Sequence, residues 1–224
     1  KSILGADDKA GVVIMLNMIE NNIPGLYYFF LGEEVGCIGS RKVATKQKTE
    51  KIEGINKVIS FDRRGTDSVI TFQSSQRCCS ETFGEALSKQ LNLADDSFSY
   101  KNDPTGILTD SVQFIKIYSE CTNISVGYRS EHTFSEQQDI EHLTKLAEAC
   151  LSNIIHEGTE INVTQKIKPD VYGNRPGYAP IFEDIYTTEI LVDFDHSKVD
   201  FSRLQKNEKK EKSVEEDSKS KVKA

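Results

Sequence analysis

An unbroken apolar run, Leu26-Tyr27-Tyr28-Phe29-Phe30-Leu31, stops at once in Gly32-Glu33-Glu34-Val35-Gly36. A second run, Val58-Ile59-Ser60-Phe61, stops in Asp62. Continuous apolar segments bounded by turn residues read as strands buried on both faces, the kind that helix-covered sheets require. In open sheets of that kind ligands gather outside the carboxyl ends of the strands, which is where these acids fall.

Two further groups join them in chain order, Gly5-Ala6-Asp7-Asp8-Lys9-Ala10-Gly11 ahead of a helical pattern and Glu131-His132-Thr133 after an apolar segment.

The rest of the pattern alternates. Helical spacing predicts helices over 11–19 (through Val12, Leu16 and Ile19), 40–47, 80–91 (through Phe83, Leu87 and Leu91) and 110–117. A longer one is expected over 139–155, with Ile140, Leu143, Leu146, Cys150 and Ile154 on one stripe. Strands are expected over 27–31, 57–61, 68–72 and 123–126. Helices interleaved with strands predict an α/β fold, a mostly parallel or mixed β-sheet covered by helices.

A chain of 224 residues is long enough for one domain with a full core and some additional material. No internal repeat at solenoid or propeller period is visible. The expected division is one compact core over 1–165, a Pro- and aromatic-rich irregular extension over 166–206, and a charged, disordered tail over 207–224. Position 1 is Lys and the text opens directly on a strand-to-helix turn, so a longer parent protein is expected.

The net charge of −7 offers no electrostatic footprint for nucleic acid or an anionic membrane. No stretch approaches the roughly 20 apolar residues of a membrane span. The five cysteines have no paired spacing and read as free thiols in a reducing compartment, which places the protein in the cytoplasm. Asn123-Ile124-Ser125 and Asn162-Val163-Thr164 fit the glycosylation pattern, but Asn123 leads into an expected buried strand.

The acids and the histidine match the parts of a dinuclear hydrolase site, which needs a bridging carboxylate, capping ligands and a carboxylate free to take a proton from water. Each part also has a plain reading. Asp7 in its Gly-flanked turn is a candidate bridge, yet Asp7 and Asp8 also suit the start of a helix. Glu33 and Glu34 divide naturally into a base and a ligand, or form a solvated turn. Asp62 is a ligand or an acid paired with Arg63-Arg64. His132 is a ligand or a structural imidazole. Thr109-Asp110-Ser111 suits a helix N-cap. Tyr128 and Arg129 polarise a carbonyl and hold a substrate carboxylate, or anchor a loop and carry surface charge. His142, His156 and His196 receive no role.

Taken together these motifs resemble the co-catalytic zinc exopeptidases, the clan of the M28 and M42 aminopeptidases and of the M20 group with peptidase T. Gly5 to Gly11 looks like peptidase T and its relatives, whereas Glu33-Glu34-Val35-Gly36-Cys37-Ile38-Gly39-Ser40 looks like M28. The resemblance covers roughly residues 2 to 155. An inserted lid domain of about 100 residues does not fit between Asp62 and His132, which favours the single-domain M28-like arrangement.

The resemblance implies a three-layer zinc-exopeptidase-like (phosphorylase/hydrolase-like) fold. It implies two divalent metal ions, zinc foremost with cobalt or manganese as alternatives. Asp7 would bridge them, Glu34 and His132 would cap one, Asp62 the other, and Glu33 would be the catalytic base. Tyr128, Arg129 and Asp110 are the candidates for substrate handling, with Thr109-Asp110-Ser111 in the place of a family Ser-Asp or Thr-Asp motif that supports the site floor. A His-x-Asp motif that the family carries on an earlier strand is not in this sequence, which leaves the Asp62 metal with two protein ligands.

The resulting expectation is a metal-dependent aminopeptidase or small-peptide peptidase whose partner is a peptide or small amide substrate, with no nucleic acid and no membrane. A carboxypeptidase, an N-acyl deacylase or a catalytically silent binding module of the same fold are the alternatives.

Overall fold

Both apolar runs that end in acid become strands of one sheet. The computed structural model describes residues 2–152 and the strand 187–194. In chain order the elements are α1 (Ala6–Glu20), β1 (Leu26–Leu31), α2 (Ile38–Gln47), β2 (Ile55–Arg63), β3 (Ser68–Ile70), β4 (Phe72–Gln73), β5 (Gln76–Arg77) and α3 (Glu81–Ala94). There follow β6 (Lys101–Asp103), a 3₁₀ turn (Asp110–Phe114), β7 (Glu120–Ser125), β8 (Tyr128–Arg129), β9 (Gln137–Gln138), α4 (Ile140–Ala149) and β10 (Thr187–Phe194).

Six strands form a mixed sheet in the order β1-β10-β2-β7-β3-β6. β2 runs parallel to β7 and β3 parallel to β6, while β10 lies antiparallel to both of its neighbours. Successive side chains of a strand point to opposite faces, and here both faces are covered. Ile59 and Phe61 of β2 enter the core beneath α1, α3 and α4, with Ile14, Met15, Phe83, Leu87 and Leu146. Val58 enters a second core beneath α2, with Phe30, Ala44, Phe114 and Cys121. The fold is therefore the helix-flanked mixed sheet that the alternation predicts.

Several elements differ from the pattern-based expectation. Helix α1 is apolar nearly all round, so periodicity alone could not select its inward face. The structure buries Ala10, Gly11, Ile14, Met15 and Met18 and turns Leu16 and Ile19 outward, at 45% and 40% exposure. The small Ala10 and Gly11 lie on the side that packs close. The expected strand 68–72 divides into β3 and the β4–β5 hairpin, and the expected helix 110–117 is only a 3₁₀ turn. β6 carries no apolar run and was not anticipated.

The largest correction falls in the extension expected to be irregular, where Thr187–Phe194 forms the strand between β1 and β2. The β-branched and aliphatic text Thr187-Thr188-Glu189-Ile190-Leu191-Val192 carries that signal in retrospect. The remainder of the extension, the charged tail, Ile154, His156, His196 and Asn162 lie outside the described residues.

All five cysteines are free and buried. Asn123 is buried and hydrogen-bonded, so it is no glycan acceptor. Among the described residues no helix is long and apolar enough to cross a membrane.

Asp139 caps α4 by accepting the His142 amide at 2.9 Å, as an N-cap acid should. Ile140, expected on the inward stripe, is exposed, because it sits in the first turn beyond the reach of the core. His142 instead is buried against Phe98 and Tyr100, its Nε2 2.9 Å from the Tyr100 hydroxyl. Burial holds its pKa below the ordinary 6.5, outweighing the Ser125 and Asp139 contributions. The unfolded chain therefore binds the extra proton first, and the His142 contribution to stability is lost as pH falls below about 6.5. Urea midpoints of wild type minus His142→Gln should shrink between pH 7.5 and pH 5. A difference independent of pH would show that the imidazole is not held neutral.

Candidate metal centre and active site

The site begins where β1 ends. Gly32 adopts φ +77, a left-handed conformation suited to glycine, and turns the chain so that the Glu33 carbonyl accepts the amides of Gly36 and Cys37 at 2.8 Å each. Gly39 lets α2 abut the strand end, since a Cβ there would lie 2.9 Å from the Leu31 carbonyl oxygen. The adjacent acids then part company. Glu34 reaches the open side, while Glu33 is half-buried and receives the Cys37 thiol at 3.8 Å.

Asp7 occupies the opening of α1 with non-helical backbone angles, and the Asp7-Asp8 peptide is cis. Of the two acids that suit a helix start, Asp8 takes that part, its Oδ1 accepting the Gly11 amide at 3.1 Å. Asp7 is thereby left to face the cavity. Its backbone is strapped by Glu136, which accepts the amides of Gly5 at 2.6 Å and Asp7 at 2.9 Å. Sequence reasoning missed Glu136, because its role depends on a contact 129 residues away.

The β2–β7 ladder shifts register between Ser60 and Arg63. Asn123 on β7 fills that break by accepting the Asp62 amide at 2.9 Å and donating to the Asp62 carbonyl at 2.6 Å. The Asp62 carboxylate accepts the hydroxyls of Thr109 at 2.5 Å and Tyr128 at 3.1 Å. Arg63 and Arg64, the alternative partners of Asp62, are engaged elsewhere, with Asp103 and Glu131 respectively.

His132 sits at φ +61 in the loop between β8 and β9. Its Nε2 lies 2.7 Å from Glu34 Oε1 and 2.9 Å from Asp7 Oδ2. Asp7, Glu34 and His132 thus bring one donor atom each within 4.8 Å of one another. A cavity of about 380 Å³ is lined by these three together with Glu33, Asp62 and Tyr128.

Two candidates lie differently. Asp110 is fully buried and bonded to the Ser40 hydroxyl, below the cavity rather than on its wall. It can support the floor, but it has no route to touch a substrate. Arg129 is exposed and lines an adjoining cavity.

The electrostatics are those of a site crowded with negative charge. Burial, then the Glu34 carboxylate, pushes Asp7 up to about 6 against the pull of His132. Burial, then Glu34, Asp110 and Asp7, pushes Glu33 up to about 8. Burial and the Asp7 and Glu33 charges raise Asp62 as well. Burial pulls His132 down, but the Glu34 and Asp7 carboxylates outweigh it and hold the imidazole above its ordinary value. Carboxylate oxygens and an imidazole nitrogen converging on one point form a hard, borderline donor set that fits a divalent cation. Among the described residues Asp7, Glu34 and His132 complete a three-donor set, whereas Asp62 has Asp7 as its companion carboxylate.

A solved structure, PhTET1-12s, a dodecamer in the asymmetric unit, is similar to this chain at 18% identity and a TM-score of 0.46. The match covers 66% of this chain and 48% of the other, so the chain spans about half the length of that structure. No curated protein matches the sequence. The family model of peptidase family M28 matches residues 2–156, which takes in every residue of the cluster, and the chain belongs to that family.

Proposed function

We propose that the chain is the catalytic part of a metal-dependent exopeptidase that removes residues from the amino end of short peptides or cleaves small amides. The observation that carries this reading is the convergence of the Asp7, Glu34 and His132 donors within 4.8 Å, on a cavity that Glu33 also lines. Asp7, Glu34 and His132 would hold one cation and Asp7 and Asp62 the second, with zinc favoured by the mixed oxygen and nitrogen donors. When bound, the cations acidify water and polarise the scissile carbonyl.

The chain's own groups do the remainder. Glu33, held beside the donors by the turn after β1, takes the proton of the attacking water and passes it to the departing amine. Tyr128 and Thr109 fix the Asp62 carboxylate through their hydroxyls, and Glu136 fixes the Asp7 backbone. Such supporting hydrogen bonds orient ligands and tune their basicity.

The test is zinc-dependent hydrolysis of aminoacyl amides, dipeptides and N-acyl amino acids by the longest natural form of the protein. Hydrolysis of the first two classes, abolished by chelator and restored by zinc, is the expected result. Turnover of N-acyl amino acids alone would make the enzyme a deacylase. Bound metal with no turnover of any class would leave a metal-stabilised binding module, the reading that the short donor set beside Asp62 favours.

A further inference from the structure

Beside the acidic cavity lies a second one of about 570 Å³, lined by Arg63, Arg64, Asp67, Arg129 and Glu131 among others. The two cavities share Arg63, Arg64 and Glu131 as a common wall. A substrate held at the metal donors therefore has this chamber as its neighbour.

The balance of charge in the chamber is informative. Arg63 pairs with Asp103 at 3.3 Å, Arg64 with Glu131 at 3.2 Å, and Asp67 with Lys101 at 2.8 Å. Each of these lining charges is matched. Arg129 has no ion pair among the described residues, so the chamber keeps one surplus guanidinium. It also stands on fixed backbone. Its strand β8 pairs with β9, with Arg129 opposite Gln137. The arginine turn is tied to the same strand by Gly65 N to Tyr128 O at 2.9 Å and Gly127 N to Gly65 O at 2.8 Å.

A guanidinium presents a rigid fork of donors that matches a carboxylate. With Arg64 beside it, the surplus charge suits an anion far better than an apolar side chain, and it lies next to a centre that is itself strongly negative. At the two adjoining cavities the amino and carboxyl ends of a short peptide would meet opposite charge, and this inference rests on the peptidase reading above.

We propose that the Arg129 chamber is a carboxylate subsite, so that the enzyme prefers substrates carrying a carboxylate on the far side of the scissile amide. That carboxylate is either the C-terminus of a very short peptide or an acidic side chain following the cut.

The experiment compares kcat/KM of the zinc-loaded full chain for Ala-Ala, Ala-Ala amide and Ala-Asp amide, in wild type, Arg129→Ala and Arg129→Lys. The expected result is a preference for a carboxylate-bearing substrate over Ala-Ala amide that drops about tenfold to hundredfold in Arg129→Ala. Arg129→Lys should retain part of it, and added salt should erode it. Preference for Ala-Ala identifies the C-terminal carboxylate, and preference for Ala-Asp amide identifies the side chain. A merely structural role would lower all three substrates alike, and an unchanged ratio in Arg129→Ala overturns the subsite.

Calorimetric binding of Ala-Ala and its amide to the Glu33→Gln chain, with and without Arg129→Ala, separates this proposal from the peptidase reading. Carboxylate-dependent binding through Arg129 without turnover in the parent would sink the peptidase and keep the subsite. Turnover with equal affinity for acid and amide would do the reverse.

Discussion

Replacing Glu33 by Gln is expected to lower kcat by about a thousandfold while zinc content stays at the wild-type level. Gln keeps the size of the side chain and the turn after β1, whose bonds are made by backbone groups of Glu33, Gly36 and Cys37. What it removes is a group able to take and return a proton. Glu33 is suited to that task because it lies beside the cluster of donors without being one of them, at Glu34's side but turned toward Cys37. Its raised pKa reflects burial and three neighbouring carboxylates, and a cation among those carboxylates would lower it again. A variant that keeps more than about a tenth of wild-type turnover would remove Glu33 from the chemistry. A variant that loses zinc along with activity would make it a ligand instead.

His132→Ala should weaken zinc binding by at least about a hundredfold, because even partners behind a ligand are worth roughly tenfold to hundredfold. The imidazole is 60% exposed on a surface loop, so its loss leaves the two hydrophobic cores untouched. The readout is therefore metal-dependent stability. Zinc at about a hundred times its Kd should stabilise the wild type by about 2.7 kcal/mol, and at the same concentration this increment should be nearly absent in the variant. Calorimetric titration and thermal melts with and without zinc would check it. Equal zinc-induced shifts in the two proteins would mean that His132 is not a ligand, leaving Asp7 and Glu34 as an acidic pair with a passing histidine.

The candidate residues were legible in the sequence because each borders a patterned segment, Glu33-Glu34 and Asp62 at the ends of apolar runs, Asp7 at the start of a helical pattern and His132 in the loop after an apolar segment. Asp62 stands at the end of the buried run of β2, while Glu33-Glu34 follow β1. Among the described residues the structure makes β1 an edge strand with Phe29 and Leu31 exposed, rather than the strand buried on both faces that its apolar run predicts. What periodicity could not resolve was orientation. α1 has two apolar stripes, and only its packing against the sheet and α4 chose Ile14, Met15 and Met18 over Leu16 and Ile19. Asp110 was placed near the site only by its resemblance to a family Ser-Asp or Thr-Asp motif, and its full burial against Ser40 depends on how the 3₁₀ turn meets α2.

The groups that hold the site together were the least visible. Asn123 looked like part of a glycosylation pattern and is in fact the side chain that completes the broken β2–β7 ladder beside Asp62. Glu136 stands in a polar loop with no motif to mark it, yet it accepts the Gly5 and Asp7 amides. Both act through hydrogen bonds to backbone groups distant in sequence, which no local pattern encodes.

By itself, then, the sequence determined the strand-and-helix alternation, the helix-covered sheet and the identity of the acids and histidine at its edge, since these follow from burial and periodicity along the chain. Only the tertiary structure decided which groups converge within 4.8 Å, which face of α1 is buried, that Thr187–Phe194 lies between β1 and β2, and that Arg129 lines the adjoining cavity with no ion pair among the described residues. Those outcomes depend on distances between residues far apart in the chain, where packing and charge are settled jointly by every element that meets there.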